Sequence, residues 1–244
     1  MQFPPDIIRL LRAAKNIAAL TGAGVSAESG LRTFRDAMDG LWAQYRPEDL
    51  ATPEAFERTP ELVWKFYAMR RLKAGEVKPN PGHCALAEMG RRVAHFTLIT
   101  QNVDGLHQRA GSEGVIELHG NITRVKCSRG CGVFTEWDDA PGSVSTCPKC
   151  GANLRPDVVW FGEMLPPREL GTAMAAARAC QVFFSIGTSA LVQPAASLAY
   201  TAKQHGAAVV EVNAEVTPLT ASADYFLQGK SGEILPELVK WVWG

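Results

Sequence analysis

Four cysteines stand in two close pairs, Cys127-x3-Cys131 and Cys147-x2-Cys150, with 15 residues between the pairs. Two such knuckles can converge four thiolates on one tetrahedral Zn²⁺, with metal–sulfur bonds of about 2.3 Å. Four protein ligands leave no position for water, so the ion would hold structure together and take no part in chemistry. Cys84 and Cys180 lack such spacing and read as plain core residues. A second group is Gly22-Ala23-Gly24-Val25-Ser26-Ala27, which fits the G-x-G-x-x-G/A pattern that brings backbone N–H groups to a pyrophosphate. The hexapeptide equally suits a tight strand-to-loop turn. A dehydrogenase would carry an acid closing a second strand about 20 residues on. Here Glu48 and Asp49 run into Leu50-Ala51-Thr52-Pro53, so a dinucleotide is compatible and hydride transfer is not supported. Gly229-Lys230-Ser231 is not a P-loop, because the first glycine of that motif would fall at Asp224. Gln101-Asn102-Val103-Asp104 follows an apolar run and puts amides and a carboxylate where a strand ends; an Asx-type turn is the plainer alternative. His119, between Leu118 and Gly120, offers an imidazole that titrates near neutrality, although a lone histidine as often serves structure. No H-E-x-x-H spacing occurs, which disfavours a catalytic zinc.

These residues need elements to hold them. Apolar runs at 17–20, 96–99, 182–186 and 208–212 are bounded by Gly, Asn or Gln and read as buried strands, with helical stretches at 7–14, 82–92, 167–179 and 193–205. That alternation predicts an α/β, Rossmann-like, doubly wound parallel sheet, whose ligands gather beyond the carboxyl ends of its strands. Residues 39–80 look helical, punctuated by Pro53, Pro60 and Pro79, and 122–155 hold the clustered cysteines among glycines. We assign 1–38, 81–121 and 156–244 to a nucleotide-binding domain, and 39–80 with 122–155 to a smaller helical and zinc-binding domain. The apolar residues from Ile234 to Trp243 suit a packed terminal helix. The chain has 244 residues, 46% hydrophobic and 20% charged, with 25 basic side chains against 25 acidic ones. A core of ordinary size follows, with no electrostatic footprint for nucleic acid. The first residues show no signal-peptide pattern and no apolar stretch approaches a membrane span, so we expect a cytoplasmic protein in a reducing compartment.

Taken in order, Gly22 to Arg35 (GAGVSAESGLRTFR), Gln101-Asn102-Val103-Asp104, Leu118-His119-Gly120, the paired cysteines, Val158 to Glu163 (VVWFGE), Gly187-Thr188-Ser189 and Val212-Asn213 resemble the sirtuin family, NAD-dependent protein deacylases, over nearly the whole chain. The resemblance implies NAD as co-substrate and one structural Zn²⁺ on Cys127, Cys131, Cys147 and Cys150. It implies cofactor contacts from Gly22, Ala23, Gly24, Ser26 and Glu28, from Phe34, Arg35 and Trp42, and from Gln101, Asn102, Val103 and Asp104. On the adenosine side it implies Gly187, Thr188, Ser189, Asn213, Ala214, Glu215 and Ser231. His119 would be the general base for a ribose hydroxyl, assisted by Asn102 and Asp104, and the products would be free lysine, nicotinamide and acylated ADP-ribose. The substrate would be an acylated-lysine protein, bound as an added strand along Val158, Val159, Trp160, Phe161 and Gly162. No oligomer is required.

Tyr67 and Arg70 lie three residues apart and share one face of a helix. The pair resembles the signature of class III, desuccinylase-type sirtuins of bacterial kind, where it binds the distal carboxylate of succinyl, malonyl or glutaryl lysine. A solvated arginine beside a half-buried tyrosine is the plain alternative. Two other functions fit the same motifs: protein mono-ADP-ribosylation, and NAD sensing by a zinc-binding module without turnover.

Overall fold

The computed structural model describes residues 2–31, 43–138 and 143–244. The chain opens with helix α1 (Pro5–Ala13), started by Pro5 at its first position, and passes into strand β1 (Asn16–Thr21). A single helical turn, α2 (Ala23–Ala27), follows directly. After α3 (Pro53–Arg58) and α4 (Pro60–Glu76) the chain returns through α5 (Pro81–Arg92) to β2 (His95–Thr100), the turn α6 (Leu106–Arg109) and the short β3 (Ile116–Glu117). Next come β4 (Gly120–Cys127), β5 (Val133–Phe134) and β6 (Leu154–Val158), then α7 (Pro167–Ala179), β7 (Val182–Ile186), α8 (Ser197–Gln204), β8 (Ala208–Asn213), β9 (Tyr225–Gln228) and α9 (Ser231–Trp243).

Six strands form one all-parallel sheet in the order β3-β2-β1-β7-β8-β9. The strand order reverses between β1 and β7, and the crevice above that pair is where such sheets take ligands. Both faces are covered, which is why the strand sequences are continuously apolar. Ile17, Ala19, Val182, Phe184, Val210 and Val212 pack against α1, α5 and α9, while Ala18, Leu20, Phe183 and Val209 face α7 and α8. Helix α5 begins where Asn80 Oδ1 accepts the Gly82 and His83 N–H groups, beside Pro81 at the first helical position. The Arg12 guanidinium donates to the last carbonyls of α9, Trp241 O at 2.8 Å and Val242 O at 2.9 Å.

A second, antiparallel sheet has the order β5-β4-β6. It shares a core with α3 and α4 that includes Phe56, Val63, Trp64, Phe66, Val125 and Leu154. Trp64 Nε1 donates to Leu154 O at 3.0 Å, tying α4 to β6. The boundaries drawn from sequence at 121/122 and 155/156 fall inside β4 and β6, so both strands run across them.

Two edge strands, β3 and β9, go beyond the strands expected from sequence: they are short and only partly buried, β3 having just two residues and β9 just four. The helix expected over 193–205 starts at Ser197, after a hydrogen-bonded turn in which the Ser197 N–H donates to Pro194 O at 3.1 Å. The terminal helix is present, with Ile234, Leu235 and Leu238 in the core. Among the described residues no helix is long and apolar enough to cross a membrane.

Candidate functional site

A cleft of about 700 Å³ opens at the carboxyl ends of β1, β2 and β7 and extends to α4 and to the end of β6. From the first loop come Gly22, Ala23, Gly24 and Ser26; after β2 come Gln101, Asn102, Val103 and Asp104; after β7 come Gly187, Thr188 and Ser189. His119 lines it from the segment before β4, Val158 to Gly162 from β6 and its extension, and Tyr67 and Arg70 from α4. Motifs scattered over more than a hundred residues therefore meet in one place.

The glycines of the first loop have a physical reason beyond ligand access. A Cβ on Gly22 would sit 2.8 Å from Gly187 O, and one on Gly24 2.8 Å from Gly187 Cα; Gly187 itself has φ +59°. The β1 and β7 loops interlock, and the N–H groups of Gly22 and Gly24 go to Ile186 O and Gly187 O at 3.0 and 2.9 Å. Those two donors are spent inside the protein, so not every N–H of the loop faces the cleft.

Next to that loop lies a connected polar set. Asn102 Nδ2 donates to Gly22 O at 3.0 Å and to Ser26 Oγ at 3.1 Å, and Ser26 Oγ donates to Asp104 Oδ2 at 2.7 Å. The other Asp104 oxygen accepts the Leu106 N–H at 2.9 Å, which fixes the carboxylate at the cleft wall. Behind it His83 Nδ1 takes the Asn80 N–H, leaving Nε2–H to reach Ser26 Oγ at 3.4 Å.

His119 Nδ1 lies 3.0 Å from Gln101 O. A carbonyl only accepts, so Nδ1 carries the proton and Nε2 is the unprotonated nitrogen of a ring that lines the cleft. Burial pushes the His119 pKa below its usual value of 6.5, opposed in part by the Gln101 carbonyl, so the ring is neutral at pH 7. Gly120 keeps it in place: φ is +78°, and a Cβ there would lie 2.1 Å from Asp157 O. Only glycine lets the His119 backbone dock on β6, where the Val159 N–H donates to His119 O at 2.9 Å.

On the far wall Tyr67 is buried, and burial raises its phenol to about 12. The Arg70 guanidinium stands 5.6 Å over the Phe66 ring, and burial lowers its pKa while Tyr67 and Asp104 oppose the shift. The backbone of the β6 extension is partly committed: the Trp160 N–H donates to Glu163 Oε2 at 2.8 Å and the Phe161 N–H to Ala51 O at 2.9 Å.

The four paired cysteines converge, their sulfurs within 4.8 Å of one another, and Cys127 Sγ lies 3.6 Å from Cys150 Sγ. A tetrahedron of 2.3 Å bonds separates its sulfurs by about 3.8 Å, so the donor set fits Zn²⁺. None of the four lines the cleft.

Several expected cofactor residues are not in the cleft lining. Glu28 Oε1 instead accepts from Ser231 Oγ at 2.8 Å and Gly232 N–H at 2.9 Å, so Glu28 and Ser231 satisfy each other. Asn213 reaches the site indirectly, donating to Thr188 O at 2.7 Å, and Ala214 and Glu215 stand beyond it. Phe34, Arg35 and Trp42 lie outside the described residues. Conversely Met69, Lys73, Ile122, Leu165 and Leu191 to Gln193 line the cleft outside the motifs read from sequence, and Leu31 and Glu163 line it from within those motifs, where neither has an assigned role. Lys73 continues the Tyr67–Arg70 helix face by three residues, a signal that periodicity offers; Met69, Ile122, Leu165 and Leu191 to Gln193 carry no local mark.

The fold and the cleft define an α/β protein of the doubly wound class, with its ligand site at the strand-order switch. The Sir2 family model matches residues 22–194, and the chain belongs to that family. It is 51% identical over 242 residues to an NAD-dependent protein deacylase of Pyrococcus furiosus, covering 96% of each. It is 47% identical over 244 residues to NAD-dependent protein deacylase 1 of Pseudomonas aeruginosa, covering 96% of this chain and 97% of that one. Among solved structures, a Sir2 homologue–NAD complex superposes with a TM-score of 0.92 at 50% identity, covering 99% of this chain and 94% of the other. A Sir2–p53 peptide–NAD⁺ complex gives 0.86 at 30% identity, covering 98% of both.

Proposed function

We propose that this NAD-dependent protein-lysine deacylase prefers acidic acyl groups, succinyl, malonyl or glutaryl, and removes acetyl as a secondary activity. The observation that carries the reading is that Tyr67 and Arg70 line the same cleft as His119, Asn102 and Asp104. A guanidinium fork matches a carboxylate, and a neutral phenol adds a donor.

NAD supplies a ribose carbon that becomes electrophilic as nicotinamide leaves. The residues of this chain do the rest. Asn102 and Gln101 hold the ribose on the nicotinamide side and Asp104 the carboxamide; Gly187, Thr188 and Ser189 face the adenosine half, with Asn213 bracing Thr188. The neutral Nε2 of His119 takes the ribose hydroxyl proton, a role suited to an imidazole whose Nδ1–H is tied down. The acylated lysine enters as an extended segment beside Val158 to Gly162. Because the Val159, Trp160 and Phe161 N–H groups are engaged within the chain, the incoming backbone would donate its own N–H groups to carbonyls there. Cys127, Cys131, Cys147 and Cys150 would hold Zn²⁺ as a cross-link for the smaller helical and zinc-binding domain, and the free thiols suit a reducing cytoplasm.

The test is one peptide bearing acetyl, malonyl, succinyl or glutaryl lysine, assayed with NAD and read by mass spectrometry. Nicotinamide and acyl-ADP-ribose in equal amounts, with kcat/KM highest for a dicarboxylic acyl group, are expected. Equal or better turnover of acetyl peptide would overturn the acyl preference. ADP-ribosylated peptide in place of acyl-ADP-ribose would make the enzyme a transferase, and no nicotinamide release from any peptide would make it a sensor.

A further inference from the structure

The Tyr67 hydroxyl has one proton and two lone pairs, and an indole N–H can only donate. Trp160 Nε1 lies 3.1 Å from Tyr67 Oη, so in this bond the phenol is the acceptor. Its proton remains to be given elsewhere, and Tyr67 lines the cleft.

The indole itself is held on several sides. The Arg155 guanidinium stacks on it, Cζ 3.4 Å from the ring centroid, and the Phe56 ring packs at 5.4 Å. Arg155 is fixed in turn by a two-pronged pair with Glu163, Nη1 to Oε1 at 2.6 Å and Nη2 to Oε2 at 2.8 Å. Glu163 Oε2 also accepts the Trp160 backbone N–H. Arg155 is therefore neutralised within the wall, and its charge does not compete with Arg70 for an incoming anion.

We infer that Trp160 is a positioning residue for acyl selectivity: its indole N–H occupies Tyr67 as an acceptor and turns the phenol proton into the cleft, where an acyl group ending in a carboxylate completes the bond. The inference rests on the acidic-acyl reading and deepens it. An acetyl methyl leaves that proton unanswered, and an unmet buried donor is penalised. Burial keeps the phenol protonated, since its pKa is raised to about 12, so the donor persists through any ordinary assay pH.

The experiment replaces Trp160 by 3-benzothienylalanine, which keeps the bicyclic shape and puts sulfur where the N–H was, with Trp160→Phe as the encoded counterpart. Succinyl and acetyl forms of one peptide are compared. The succinyl-to-acetyl ratio of kcat/KM should fall about 3- to 10-fold, chiefly through KM for the succinyl peptide. The same replacement in a Tyr67→Phe background should change the ratio less than about twofold, because the partner is gone. An unchanged ratio in the Tyr67-bearing chain, or an equal fall in the Tyr67→Phe background, overturns the inference. Arg70→Met separates the two levels. If it collapses the ratio while the Trp160 replacement does not, the acidic-acyl reading stands and the positioning role fails. If neither the parent nor any variant distinguishes the two peptides, both fail.

Discussion

At the scale of single residues, His119 carries the most. The Gln101 carbonyl sets its tautomer, and burial lowers its pKa below 6.5. His119→Ala should reduce kcat about 10²- to 10⁴-fold, measured as nicotinamide release from an acylated peptide. In the proposed role His119 works deprotonated, so kcat/KM should rise with pH along an acid limb whose midpoint lies below 6.5, and the alanine variant should lose that limb. On the proposed acidic-acyl preference, selectivity belongs to Arg70. Arg70→Met should lower the succinyl-to-acetyl ratio of kcat/KM by at least about tenfold, the weight of one charge-assisted hydrogen bond. A variant that kept the preference would sink the specificity assignment. The Leu-His-Gly context of His119 is visible in the sequence and equivocal; a backbone carbonyl 18 residues away gives the ring a defined tautomer.

At the scale of elements, two joints stand out. The Glu28 carboxylate, just past α2, caps the start of α9 through Ser231 and the Gly232 N–H. Glu28→Gln should cost about 1 kcal/mol and lower Tm by about 2–4 °C, read by calorimetry. The second joint is between β1, α5 and α6, where His107 Nε2 meets Thr21 Oγ1 at 2.8 Å and the His107 and His83 rings pack 4.8 Å apart. Burial, and then His83, push His107 down to about 3. The unfolded chain keeps a histidine near 6.5, so between 6.5 and about 3 it binds a proton that the folded state refuses. The stability of the neutral form is complete above 6.5 and is lost as pH falls through that window. Tm should therefore drop steadily from pH 6.5 to 4, and His107→Gln should flatten part of that slope.

At the scale of the whole molecule, two sheets meet at one cleft, and the smaller one depends on its thiolates. With a closed Cys₄ set, metal analysis should find about one zinc per chain. Cys147→Ser, or a strong chelator, should release it and unfold β4 to β6 cooperatively with α4, seen as a lowered Tm and as lost amide protection around Trp64, whose indole is bonded to Leu154 O. Activity should fall with it, since Val158 to Gly162 extends β6 into the cleft.

Residue order alone determined the inner strands, the helices between them and the metal donor set, because apolar periodicity and ligand spacing are local properties of the chain. It also presented Gly22, Gln101, Asn102 and His119 as candidates, without a geometry relating them. Tertiary structure decided that Gly22 and Gly24 are small because Gly187 presses on them, that Glu28 answers Ser231 across 203 residues, and that Trp160 holds the phenol of Tyr67 across 93. Such contacts arise from strand order and packing between distant segments, and a hydrogen bond between residues far apart in the chain leaves no period or spacing by which either partner could be recognised.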